Sequence, residues 1–196
     1  MNSTLTANEI SGRAIGSLFF TGFGGIWLIL ALYAREAITP LSMAAVAAGL
    51  GVLFPACFWL FRQARRFPSR EEDPTVARTF RRINTAQWIA VGVVAFGFGR
   101  LHLEVYIVSA ITAIVGLHLF PLARLFRYPV HYATAIALVL WAGISLLAAP
   151  LDRLQGVTAM GTGLLLWLSA ATTLALAARR VRSSRPDSSI RLQQHA

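Results

Sequence analysis

The chain has 196 residues, 56% of them hydrophobic and 13% charged, with a mean hydropathy of +0.61. A soluble domain carries roughly a quarter charged residues, so most of this surface must face something apolar, and the lipid bilayer is the natural partner. The net charge of +10 comes from arginines at the ends of apolar runs, not from one solvated basic face, which excludes a nucleic-acid-binding domain.

The pattern predicts an all-α polytopic membrane protein. Residues 1–196 read as a single transmembrane domain with six spans, described most simply as three helical hairpins. A short polar segment, 1–13, comes first, with no cleavable signal peptide. The first apolar run, 14–33, holds Gly22, Gly24 and Gly25. Glycines this dense either let another helix approach closely or permit the local unwinding that transporters use for binding.

The second run, 42–61, follows Thr39-Pro40 and contains Pro55 and the lone cysteine, Cys57. One cysteine excludes an intramolecular disulfide, and within an apolar run it reads as a small core hydrophobe. An Arg-rich loop, 62–82, then carries Arg62, Arg65, Arg66, Arg70, Arg78, Arg81 and Arg82. Within it, Asp73-Pro74 marks a helix start, with Asp73 as N-cap and Pro74 at the first helical position. The third helix should therefore begin near Pro74 and carry Arg78, Arg81 and Arg82 on one face against anionic lipid head groups.

The third apolar run, 83–99, is short and ends at Arg100. The fourth, 105–123, contains His118 and Pro121, and Arg124 and Arg127 follow as further candidates for head-group contact by snorkelling. The fifth, 132–149, follows Tyr128-Pro129; the sixth, 154–178, leads to an Arg-rich tail, 179–196, with Arg179, Arg180, Arg182, Arg185 and Arg191. Arg-rich and Arg-poor connections alternate, the poor ones holding Arg35, Arg100 and Arg153, each with an acidic neighbour. Six spans with both termini cytoplasmic satisfy this alternation, and the composition points to a bacterial inner membrane.

The second and fourth runs share Leu-Phe-Pro, at Leu53–Pro55 and Leu119–Pro121, and each ends Leu-Phe-Arg. Such repetition is common in membrane folds. The stretch Gly116-Leu-His-Leu-Phe-Pro-Leu-Ala-Arg-Leu-Phe-Arg-Tyr-Pro129, with Tyr132, resembles a segment of small six-span bacterial membrane proteins of unknown function. That resemblance implies no activity. The plan of three hairpins in under 200 residues also resembles the HdeD acid-resistance membrane proteins, without a shared motif. It implies a stress-linked inner-membrane protein with no catalytic residues to carry over.

Polar groups within a span are costly, so they are the candidate sites. His118 is the deepest ionisable group, three residues before Pro121. That proline frees the Leu117 carbonyl and bends the helix. His118 reads either as a proton- or ligand-binding group beside irregular backbone or as a neutral contact between helices. Arg100, His102 and Glu104 crowd an outer turn, where Arg100 and Glu104 could pair, and with His118 they would line any polar path. Trp59 and Trp88 suit an interface belt, whereas Trp27, Trp141 and Trp167 lie deeper. Small residues spaced four apart mark expected helix contacts: Gly12/Gly16, Ala44/Ala48, Ala47/Gly51 and Ala159/Gly163.

No metalloprotease, P-loop or serine-hydrolase motif occurs, and no pair of intramembrane aspartates. The reading is therefore non-enzymatic, without metal or cofactor. Haem ligation by His118 and His131 has no Cys-x-x-Cys-His motif behind it. Two functions stand out: passage or binding of a small solute or ion, and a structural or stress-associated role within a larger assembly. Homo-oligomerisation stays open.

Overall fold

The computed structural model describes residues 6–69 and 73–184. Arg70, Arg185 and Arg191 lie outside the described residues. Those described form six α-helices: α1 (Ala7–Ala34), α2 (Pro40–Ala64), α3 (Pro74–Arg100), α4 (Ile107–Phe126), α5 (Pro129–Ala148) and α6 (Leu154–Ser183), with a single 3-10 turn, Glu104–Tyr106, before α4. Five of the helices are long and apolar enough to cross a membrane. The sixth, α3, is long enough, but its first half carries Arg78, Arg81, Arg82, Asn84 and Gln87.

The helices begin where the local chemistry directs. Thr39 caps α2 by accepting the Ser42 N–H at 3.1 Å, and the Ser42 hydroxyl oxygen accepts the Thr39 N–H at 2.8 Å, a reciprocal capping box before Pro40. Asp73 caps α3 through the Thr75 N–H at 2.8 Å, with Pro74 in the first turn, as the sequence predicts. Thr6 caps α1, so that helix starts seven residues before the apolar run. A helix of this length spans roughly 42 Å against a hydrocarbon core of about 30 Å, so its polar first turns exceed what a single crossing needs.

Three helices end in a left-handed residue that is not glycine. Glu36 (φ 53°), His102 (φ 56°) and Arg127 (φ 49°) each precede a residue whose N–H reaches back five positions. These bonds run from Ala37 to Leu32, Leu103 to Phe98 and Tyr128 to Ala123. This is the Schellman closure, which turns the chain sharply into short connections.

Helix α6 is the hub. It packs most extensively on α1 and also on α5, α4 and α2. The outer pairs are α2 on α1 and α3 on α4, whereas α2 and α3 make no extensive contact. The three predicted hairpins are present as neighbours, but the closest pairings, α1 with α6 and α4 with α5, cut across them.

The α1–α6 seam has a 3.5-residue period. On α1 the buried residues include Ile10, Ala14, Ser17, Thr21, Gly24, Leu28 and Ala31. On α6 they include Gly156, Ala159, Gly163, Leu166, Ala170, Thr173 and Ala177. Steps of three and four alternate on both helices, which is the spacing of a left-handed coiled pair. Most of these residues are small, so the backbones meet closely. A Cβ added at Gly163 would stand 2.8 Å from the Gly24 carbonyl oxygen.

Helix α1 runs unbroken through Gly22, Gly24 and Gly25, so no unwound segment forms there. Gly24 and Gly49 together accept the indole of Trp167, while Gly25 accepts Leu50. Of the predicted small-residue pairs, Ala159 and Gly163 lie in the seam. Gly12 and Gly51 meet nothing, and Ala44, Ala47 and Ala48 are exposed on α2. Cys57 is fully buried in an apolar cluster with Leu60, Ala14 and Leu174, as a small hydrophobe.

The Arg-rich ends gather at one end of the bundle. Arg180 lies 3.6 Å from Glu9, which also pairs with Arg13. The Arg13 guanidinium stands over the Tyr128 ring at 5.2 Å, Ala7 donates its N–H to the Pro68 carbonyl, and Phe80 meets Phe126. At the opposite end, Gln155 donates to the Glu104 carbonyl oxygen at 2.9 Å.

Candidate functional site

The most organised polar feature is a ladder of side-chain hydroxyls where α6 meets α4 and α5. Ser109 lies 3.1 Å from Thr158, Thr158 donates to Ser145 at 2.9 Å, and Ser145 donates to the Ala142 carbonyl at 3.0 Å. Because Thr158 has one proton, Ser109 must be the donor, so a directed chain of hydrogen bonds crosses from α4 through α6 to α5. One turn on, Thr112 and Thr162 are 2.9 Å apart. Further on, Thr134 donates to the Val130 carbonyl and therefore accepts from Ser169 at 2.7 Å. All of these hydroxyl residues are buried. In lipid such bonds hold helices together at roughly 0.6 kcal/mol each.

Two tryptophans complete the seal. Trp167 on α6 fills the notch at Gly24 and Gly49 and donates Nε1–H to the Thr21 carbonyl at 3.0 Å. Trp141 on α5 lies over Gly161 and donates Nε1–H to the Thr158 carbonyl at 3.0 Å. Trp167 and Trp141 thus bond to backbone and fill space between helices, whereas Trp27 packs against apolar neighbours.

His118 is half-buried on α4, its Nδ1 2.7 Å from the Val115 carbonyl oxygen of its own helix. Helices α2 and α4 continue through Pro55 and Pro121, both of which lie on exposed surface. His131, at the start of α5, sits edge-on to Phe20 and Tyr128, with ring centroids 5.6 and 5.1 Å apart. Its Nδ1 and the Tyr128 hydroxyl are buried without a hydrogen-bond partner.

At the turn between α3 and α4, Arg100, His102 and Glu104 are exposed. Arg100 does not pair with Glu104: its guanidinium stands 5.9 Å from the Phe96 ring centroid, and His102 approaches Glu104 at 3.9 Å. The left-handed turn at His102 directs the chain back so that the neighbour of Glu104 is the imidazole. The turn lies a full helix length from the Arg-rich end, and His118 lies toward that end.

The basic candidates fall together. Arg78, Arg81 and Arg82 are exposed and line one shallow groove of about 400 Å³ with Thr85, Ala86 and Ile89. Arg124 and Arg127 are exposed at the same end of the bundle, on the last turn and cap of α4. A second concavity, about 300 Å³, lies at the other end between Ala34, Arg35, Glu36 and Arg153. Among the described residues no cluster of three or more His, Cys, Asp or Glu forms a metal site.

Sequence reasoning centred on ionisable groups missed the hydroxyl ladder. Its signal was present as Thr158, Thr162 and Ser169, one polar stripe along an otherwise apolar run.

The helices, their length and their apolar surfaces define a multi-pass helical membrane protein. No family model, curated protein or solved structure matches the chain.

Proposed function

We propose that this is a six-span bacterial inner-membrane protein with both termini cytoplasmic, so that the N-terminal end of α1 and the C-terminal end of α6 face the cytoplasm. It serves as a structural or stress-associated membrane component that works through its lateral surface, and solute does not pass through its centre. The observation that carries this reading is the hub itself. Along α6 the buried hydroxyls of Thr158, Thr162 and Ser169 bond to hydroxyls of α4 and α5, and Trp167 and Trp141 fill the glycine notches beside them. A conduction path would need such groups to face water instead. The Arg-rich end formed by Arg13, Arg180 and the α2–α3 connection supports the orientation. The third helix completes six spans by burying its apolar C-terminal half, with Trp88 and its arginines nearer the head groups.

The competing reading routes protons or small ions past His118 and the Arg100–Glu104 turn. Reconstitution separates the two. Proteoliposomes loaded with a pH dye or with potassium should leak no faster than protein-free vesicles between pH 5 and 8. A protein-dependent flux that His118→Ala abolishes would establish transport and sink the structural reading. Reporter fusions after Ala196 and in the 36–39 connection should report cytoplasm and exterior respectively.

A further inference from the structure

We propose that the cytoplasmic end of α3 is a discrete binding site for an anionic phospholipid, with Arg78, Arg81 and Arg82 holding the phosphate and the strip over Thr85, Ala86 and Ile89 receiving an acyl chain. The proposal rests on the orientation given above and names what the lateral surface binds.

Helix α3 has no buried residue and packs extensively on α4 alone, so its remaining faces are uncovered by protein. The six groove residues are spaced at i, i+3, i+4, i+7, i+8 and i+11, which places them on one stripe of the helix. Their order along the axis is chemical as well as geometric. The cationic members come first and the apolar ones follow, over roughly 16 Å. That is the order of a membrane leaflet, head group first and hydrocarbon deeper.

Charge complementarity selects the occupant. Among the described residues, no ion pair involves any of the three guanidiniums. Adjacent unpaired guanidiniums repel one another, and a phosphate relieves that repulsion. The planar fork of Arg also matches two phosphate oxygens at once, which a point charge does not. The apolar half distinguishes this site from a generic basic surface, because a free anion would gain nothing from Ala86 and Ile89. Trp88, exposed one residue before Ile89, is a built-in reporter.

The test uses the full chain in nanodiscs of phosphatidylcholine doped with phosphatidylglycerol. Phosphatidylglycerol brominated on its acyl chain should quench the Trp88 component, obtained as the difference from Trp88→Phe. It should do so at about tenfold lower mole fraction than brominated phosphatidylcholine. Arg78→Gln/Arg81→Gln/Arg82→Gln should erase that preference, whereas Arg62→Gln/Arg65→Gln/Arg66→Gln, which removes the same charge elsewhere, should keep it. Ala86→Phe, which fills the strip without adding a second fluorescent reporter, should weaken it with the charges intact. Equal quenching by the two lipids in the wild-type protein would overturn the proposal without any variant having to fold. So would equal loss in both arginine triples. Inorganic phosphate that displaces the lipid at matched concentration would show a free-anion site instead. A nanodisc exposes both faces, so a reversed orientation in the reporter fusions would leave this result readable.

Discussion

His102 adopts a left-handed backbone at the end of α3, and the cost of that conformation for an L-residue is about 1–2 kcal/mol. Its exposed imidazole makes only a loose approach to Glu104, worth little in water. His102→Gly should therefore stabilise the protein by about 1 kcal/mol in a detergent unfolding assay. A fall in stability would mean the imidazole has a partner outside this chain. Buried hydroxyls divide by partner in the same way. Thr162 bonds to Thr112 and to the Thr158 carbonyl, so Thr162→Val should cost about 0.6 kcal/mol. Thr173 is equally buried but its hydroxyl has no hydrogen-bond partner, so Thr173→Val should be neutral or stabilising by up to about 1 kcal/mol. The opposite signs, in the same assay, test whether the ladder is real. Asp73 gives a pH signature. The Thr75 N–H holds its carboxyl below the ordinary value, so the cap is complete above the unfolded carboxyl's pKa and is lost as pH falls through the lowered one. Amide exchange at Thr75 and Val76 should speed up in acid, and Asp73→Asn should remove that dependence. His118 and Glu104 were legible as costly residues because charge is rare in this sequence. The hydroxyls were not, because serine and threonine are ordinary in membrane helices and only their partners on other helices reveal a ladder.

At the scale of the element, α1 and α6 depend on each other through smallness. A Cβ at Gly24 would collide with the Trp167 indole and stand 3.1 Å from the Gly163 carbonyl oxygen. Gly24→Leu should cost about 3 kcal/mol or more, from overpacking in a core with no slack. Gly12→Leu, on the same helix where nothing lies within 4 Å, should change stability by under about 0.5 kcal/mol. Similar losses at both positions would show that α1 responds to bulk anywhere and not to this notch. Helix positions were legible because apolar runs and proline starts are local signals. The polar ends of α1 and α6 extend past those runs because helices continue into the head-group region, where hydropathy falls but hydrogen bonding does not. Small-residue spacing marked Ala159/Gly163 correctly and Ala44/Ala48 and Ala47/Gly51 on an exposed face. A four-residue step says that two backbones could meet, and only the partner decides whether they do.

The whole molecule closes by bringing its first and last described helices together. Glu9 and Arg180 are neighbours across that closure. Glu9→Cys with Arg180→Cys, in a Cys57→Ser background, should be joined by a short bifunctional thiol reagent within one chain. Failure to cross-link would refute the antiparallel α1–α6 pairing on which the bundle rests. Alternation of arginine content made the two ends of the bundle legible in advance, since charge at a membrane edge is a one-dimensional signal. Hairpin order was less informative. Short connections force consecutive helices to be neighbours, yet they say nothing of which helix fills the centre. That place went to α6, whose small and hydroxyl-bearing residues allow it to touch four others.

This centrality sets a timetable for synthesis. The ribosome delivers α1 through α5 before α6 exists, so Ser109, Thr112, Thr134 and Ser145 enter the bilayer without their α6 partners. The nascent protein is then a loose raft of helices waiting for a keystone. A chain cut short before Leu154 would expose the same hydroxyls without their α6 partners, and the same glycine notches, to any membrane protease or chaperone, so completeness of translation and fitness to persist are read at one helix.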